Sequence, residues 1–103
     1  FQNLEITSKP HALGIKTDKF NNFVWTPLNG EFQEFKNTPK GDFALRRWVK
    51  NGILHSEATQ DGPIKQNRYY LSNDGQTLRL EVTVTSKYLP HPLELAYLYK
   101  KVG

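Results

Sequence analysis

His11, His55 and His91 are the first residues to test for chemistry, and they are dispersed along the chain. No His-x-His or His-x₃-His spacing sets two imidazoles on one face, so the pattern offers no metal site. His11 and His91 lie beside prolines in predicted turns, and His55 lies in a predicted strand. Glu31 and Glu34 are three apart on a strand and point to opposite faces. A carboxylate pair for acid–base work would therefore need tertiary contact. Ser8, Ser56, Ser72 and Ser86 lack a Gly-x-Ser-x-Gly turn, and the single glycines form no phosphate-cradling loop. The chain has no Cys, which removes thiolate nucleophiles, disulfides and Cys-type zinc sites. These residues assign no catalytic group, metal or cofactor and weigh against an enzyme. The residual enzymatic reading is proton transfer by His55, Glu57 or a tyrosine brought together by folding.

The elements that would position any site read as β-strands. Leu78, Leu80, Val82 and Val84 alternate with Thr77, Arg79, Glu81, Thr83 and Thr85, the pattern of a half-buried strand. Asp74-Gly75 before it predicts a two-residue type I′ turn. That turn pairs Leu71 with Leu78 and Tyr69 with Leu80 on one face, and Arg68 with Glu81 on the other. Asn29-Gly30, Asn51-Gly52 and Asp61-Gly62 repeat the turn chemistry, and Pro10 marks a further turn or strand end. The result is about nine short strands, at roughly 4–8, 12–17, 23–28, 31–35, 43–50, 53–60, 64–72, 77–85 and 93–102. Short links imply an all-β, antiparallel up-and-down meander. It is expected to form a lipocalin-like barrel or a strongly curved sheet over residues 1–103, too short a chain to divide into two cores. A lumen in so short a chain would be narrow.

The hairpin through Asn51-Gly52 carries the most specific expectation. Its two-residue turn pairs Val49 with Leu54, Arg47 with Ser56 and Leu45 with Ala58 on the presumed core face. Arg47 would then point inward and need a carboxylate or an anionic ligand. A slip of one residue would instead put Trp48 inside. In the Asp74-Gly75 register, Lys65 and Asn67 share the inner face with Tyr69. Arg47, Ser56, Lys65, Asn67, Tyr69, Tyr97 and Tyr99 are thus the candidate ligand-binding residues, polar groups among aromatic walls. Their positive members suit an anionic head group. The alternative for the same residues is a packed core with tyrosine hydroxyls at its rim.

Pairing across Asn29-Gly30 would set Trp25 opposite Glu34 and Val24 opposite Phe35, leaving apolar residues on both faces. Phe23, Trp25, Trp48 and His55 are the candidate interaction patch for a protein partner or a second copy. Phe20, Phe32 and Phe35 belong to the same aromatic-rich half. Stacking of nucleic acid would need basic residues beside the rings, but Glu31 and Glu34 accompany Lys36 and Lys40. The net charge of +4 is mild and the longest basic runs are Arg46-Arg47 and Lys100-Lys101, so nucleic acid is not the expected partner. No apolar run is long enough to span a bilayer as a helix.

The run Tyr69-Tyr70-Leu71-Ser72-Asn73-Asp74-Gly75-Gln76-Thr77-Leu78, followed by Ala96-Tyr97-Leu98-Tyr99-Lys100-Lys101, resembles the "LS-x-DG-x-TL … Y-x-K" ending of small bacterial lipocalin-like proteins. Arg46-Arg47-Trp48 before Asn51-Gly52 and Leu54 is similar to the Trp-containing hairpin common in them. The likeness covers about residues 43–101. It implies a β-barrel and export to a periplasmic or extracellular compartment, and carries over no catalytic residue. The function expected of such a fold is non-catalytic binding of a small apolar or amphipathic, even anionic, molecule in a narrow barrel, the alternative being an interaction or self-associating domain that uses an exposed aromatic patch. A chain beginning at Phe1 fits a removed secretion signal as well as a trimmed sequence.

Overall fold

The chain folds as nine antiparallel strands in two sheets, with no helix among the described residues. In this computed structural model the described residues are 3–9, 11–17, 23–38 and 41–101. Strands β1 (Leu4–Lys9), β2 (Ala12–Thr17) and β3 (Val24–Pro27) form one sheet in that order. The second sheet runs β4 (Gln33–Phe35), β5 (Phe43–Lys50), β6 (Ile53–Thr59), β7 (Ile64–Leu71), β8 (Thr77–Thr85) and β9 (Leu93–Lys100). Pro10, Phe20 and Lys40, singled out in the sequence, lie outside the described residues.

Local turn chemistry sets most of the registers. Asn51 and Gly52 both take positive φ, 53° and 75°, as a type I′ turn demands. They pair Val49 with Leu54, Arg47 with Ser56 and Leu45 with Ala58, the expected register. Arg47 and Ser56 accordingly point inward and are buried. The β7–β8 pairing is also as expected, with Leu71 opposite Leu78, Tyr69 opposite Leu80 and Arg68 opposite Glu81. Its turn differs. The Ser72 N–H donates to the Thr77 carbonyl at 2.8 Å and the Gly75 N–H to the Ser72 carbonyl at 2.9 Å. Gly75 has φ 73° and Asp74 does not share a positive φ. The loop is thus longer than two residues, and it is lengthened equally on both sides, which leaves the register unchanged.

Asn29-Gly30 does not close a hairpin. Val24 pairs with Ile15 and Trp25 with Gly14 on β2, whereas Glu34 and Phe35 pair with Ala44 and Phe43 on β5. Asn29 instead bridges to Trp48, and the Gly30 N–H donates to the Arg47 carbonyl at 3.0 Å. The positive φ of Gly30, 76°, turns the chain from one sheet into the other, and the Asn29 side chain holds the corner by accepting the Glu31 N–H at 2.9 Å.

The core lies between the sheets. Leu13 and Ile15 of β2 meet Tyr69, Leu80 and Val82, with Leu4, Leu28, Leu54, Leu78, Val84 and Tyr99 packed around them. The two sheets join at the Asn29–Trp48 corner, but β1 and β9 are not paired. Of the two expected forms, a barrel or a strongly curved sheet, the closed barrel is therefore not found: the three-stranded sheet covers the middle of the six-stranded one, and of β9 only Tyr99 packs against the core. Exposure follows this geometry, with Leu80 at 1% and its β9 neighbour Tyr97 at 37%.

Candidate functional site

Three inward residues line up across adjacent strands. Arg47 on β5 faces Ser56 on β6, which faces Asn67 on β7. Tyr69 stands in the next row and its hydroxyl accepts from Asn67 Nδ2 at 3.2 Å. The Arg47 guanidinium reaches the opposite sheet. Its Nη1 donates to the carbonyls of Leu13 at 3.0 Å and Val24 at 2.8 Å, and to Thr26 Oγ1 at 3.1 Å. Neutral acceptors on β2 and β3 thus do what a carboxylate or anionic ligand was expected to do. Burial pushes the guanidinium down to about 10, partly opposed by attraction to Tyr69, so it remains charged at neutral pH. Arg47 Nε and Asn67 Oδ1, on either side of Ser56, are buried with no partner among the described residues.

The seven candidate ligand residues do not enclose one lumen. Arg47, Ser56, Asn67 and Tyr69 form a contiguous patch under the three-stranded sheet. Lys65 lies between Ala58 and Val84 near the end of β7. Tyr97 and Tyr99 lie on β9, opposite Leu80 and Leu78. Leu13, Ile15, Tyr69, Leu80 and Val82 fill the middle and are buried. At the seam between β1 and β9 a groove of about 280 Å³ is lined by Leu4, Ile6, Leu71, Leu78 and Tyr99 together with Gln76, Thr77, Lys100 and Lys101. Tyr99 alone among its walls was a sequence candidate. Leu71 and Leu78 come from the β7–β8 hairpin and Leu4 and Ile6 from β1, and no short-range pattern relates that strand to that hairpin.

The aromatic candidates also separate. Leu13 and Ile15 face the core, so Gly14 and its partner Trp25 lie on the outer face of the three-stranded sheet. The Trp25 ring lies directly over Gly14, with Phe23 6.1 Å away and the Lys9 ammonium 4.3 Å from the ring centroid. Trp48 and His55 stack at 5.3 Å on the outer face of the six-stranded sheet. Next to them the Arg46 guanidinium contacts the faces of Phe32 and Trp48 and pairs with Glu57 at 3.1 Å. Each aromatic group therefore already has a cation from its own chain, and the two groups do not form one patch.

Among the described residues no group of three or more His, Asp or Glu could hold a metal ion, and no helix is long and apolar enough to cross a membrane. Comparison of the chain with protein-family models, curated proteins and solved structures finds no match.

Proposed function

We propose that this chain is a non-catalytic binding module for a small amphipathic molecule, held in the seam between β1 and β9. The observation that carries this reading is the groove itself, lined by apolar side chains together with Lys100 and Lys101. The reading keeps the ligand class implied by the likeness to lipocalin-like proteins and moves the site from a lumen to the side of an opened barrel. Size limits affinity. Half-burying roughly seven methylenes at ~0.8 kcal/mol each gives about 3 kcal/mol. A charge-assisted hydrogen bond adds about 1.5–3 kcal/mol. The sum corresponds to a Kd no tighter than roughly 40 µM.

Octanoate and octanol, titrated against the ¹⁵N-labelled chain, test the proposal. Octanoate is expected to give saturable shifts at Leu4, Ile6, Leu78 and Tyr99, and to bind several-fold more tightly than octanol. The double variant Lys100→Glu/Lys101→Glu should erase that preference. The absence of saturable shifts at these residues up to a few millimolar octanoate would remove the groove as a binding site.

A second reading, an association domain, is favoured by β9, where Leu93, Leu95 and Leu98 are 48%, 41% and 73% exposed.

A further inference from the structure

Strand β9 ends the six-stranded sheet and, among the described residues, pairs on one side only, with β8. Its ladder runs without a bulge from Leu93 opposite Val84 to Lys100 opposite Thr77. It contains no proline, and its only charges are Glu94 and Lys100, near its two ends. Natural sheets blunt such an edge with prolines, bulges or central charges to prevent pairing with another chain, and β9 carries none of them. Lys101 donates its N–H to the Gln76 carbonyl at 2.8 Å. By alternation, the odd residues of β9 bond to β8, and the N–H and C=O groups of Glu94, Ala96, Leu98 and Lys100 face the open edge.

We infer that β9 pairs antiparallel with β9 of a second copy, about a two-fold axis at Tyr97. The inference does not rest on the ligand proposed above, because edge pairing lies in the plane of the sheet; Lys100 borders the groove as well, and Glu94→Lys, away from the groove, separates the two. An antiparallel self-pairing must match outward-facing residues with one another, so its register moves in steps that leave only a few candidates. Centring on Tyr97 sets Glu94 against Lys100 of the other copy, twice by symmetry, and Ala96 against Leu98. Leu95 then meets Tyr99, and Tyr97 meets itself. Centring on Ala96 or Leu98 leaves both charges opposite apolar or remote residues. Centring on Glu94 sets like charges together, which is unfavourable. Within the chain, Glu94 and Lys100 face Thr83 and Thr77 on β8 and make no ion pair among the described residues. The other long free edge is different. On β1, Glu5 lies 3.9 Å from Lys16 and the Lys9 ammonium lies over the Trp25 ring, so its charges are already engaged. The β4 edge is three residues long and offers too little to pair. Charge complementarity therefore selects β9, and selects one register on it.

Because the chain has no Cys, a single introduced thiol reports the register directly. In a non-hydrogen-bonded antiparallel pair the Cα atoms are about 4.5 Å apart, within the range of a disulfide. Oxidised Tyr97→Cys is expected to form a covalent dimer in high yield. Leu95→Cys places its thiols roughly 13 Å apart along the strand and should stay monomeric. Analytical ultracentrifugation of the cysteine-free protein should show a concentration-dependent dimer. Glu94→Lys and Lys100→Glu should each weaken it by about tenfold, since two favourable pairs become two repulsive ones, and the combined swap should restore it to within about threefold. Circular dichroism checks that each variant keeps the fold, on which these edge side chains have little bearing. A protein that stays monomeric at millimolar concentration overturns the inference. So does cross-linking through Leu95→Cys in preference to Tyr97→Cys, which would mean another register. Charge swaps without rescue would mean that β9 meets a different strand and overturn it equally.

Discussion

Arg47 shows how a single residue can join two sheets. It leaves β5 and donates to acceptors on β2 and β3, so each sheet supplies what the other lacks: a charge with donors, and a threonine hydroxyl with backbone carbonyls that can accept a bond beyond those of their own ladder. Burial lowers its folded-state value from the ordinary guanidinium range to about 10, so holding the charge inside works against folding at every pH below about 10. That opposition would lift only as pH rises from about 10 toward the ordinary guanidinium value. At pH 7 the hydrogen bonds must outweigh it. Arg47→Met should therefore destabilise the protein by about 2–4 kcal/mol, because it removes three hydrogen bonds from a buried charged donor at once. Urea denaturation at pH 7 measures this, and a loss below about 1 kcal/mol would show that the guanidinium is not a clamp. Gly14 is a second such residue. A Cβ there would lie 2.8 Å from the Trp25 ring, so Gly14→Ala should push the indole off β2 and break its contact with Lys9. The expected signature is a red shift of tryptophan emission with a loss of about 1–3 kcal/mol, and unchanged emission would place the ring elsewhere.

Among the elements, the β7–β8 hairpin carries its own pH dependence. Asp74 is held below the usual carboxyl value first by the Ser72 hydroxyl and then by the Gln76 N–H. Its Oδ1 accepts both at 2.6 Å and 3.0 Å. Since the folded-state value is the lower one, the stabilisation is complete above the ordinary carboxyl pKa and disappears as pH falls through the depressed value. A carbon-detected NMR titration should give Asp74 a midpoint below 3.8. Ser72→Ala should move that midpoint back up. The same hairpin shows what a sequence discloses. Its register, and that of β5–β6, were readable because Asp-Gly and Asn-Gly act locally and the flanking apolar residues fix the face. The inner row of Arg47, Ser56, Asn67 and Tyr69 followed from those registers. Asn29-Gly30 has the same local chemistry, yet β3 and β4 part. The deciding contacts are distant, namely the bridge from Asn29 to Trp48 and the burial of Thr26 against Arg47. The groove was hidden for a related reason: Leu4 and Ile6 meet Leu78 and Tyr99 only because of where the three-stranded sheet lies across the other.

At the scale of the whole molecule, the distribution of burial predicts an uneven resistance to opening. The core sits over β6 to β8, while β1 and β9 each have one unbonded edge. Amide exchange reports the free energy of local opening, so the slowest amides should belong to the hydrogen-bonded residues of β7 and β8. Along β9 the pattern should alternate at high dilution. Leu95, Tyr97 and Tyr99 bond to β8 and should be protected, whereas Glu94, Ala96, Leu98 and Lys100 face the open edge and should exchange quickly. Raising the protein concentration should slow the second set without slowing the free edge of β1, since only β9 gains a partner. Exchange followed by NMR at two concentrations separates these cases. Equal protection along β9 at high dilution would mean that β1 and β9 close on each other in solution. A closed barrel of that kind would have neither the seam nor its groove, and no edge on which a second copy could pair.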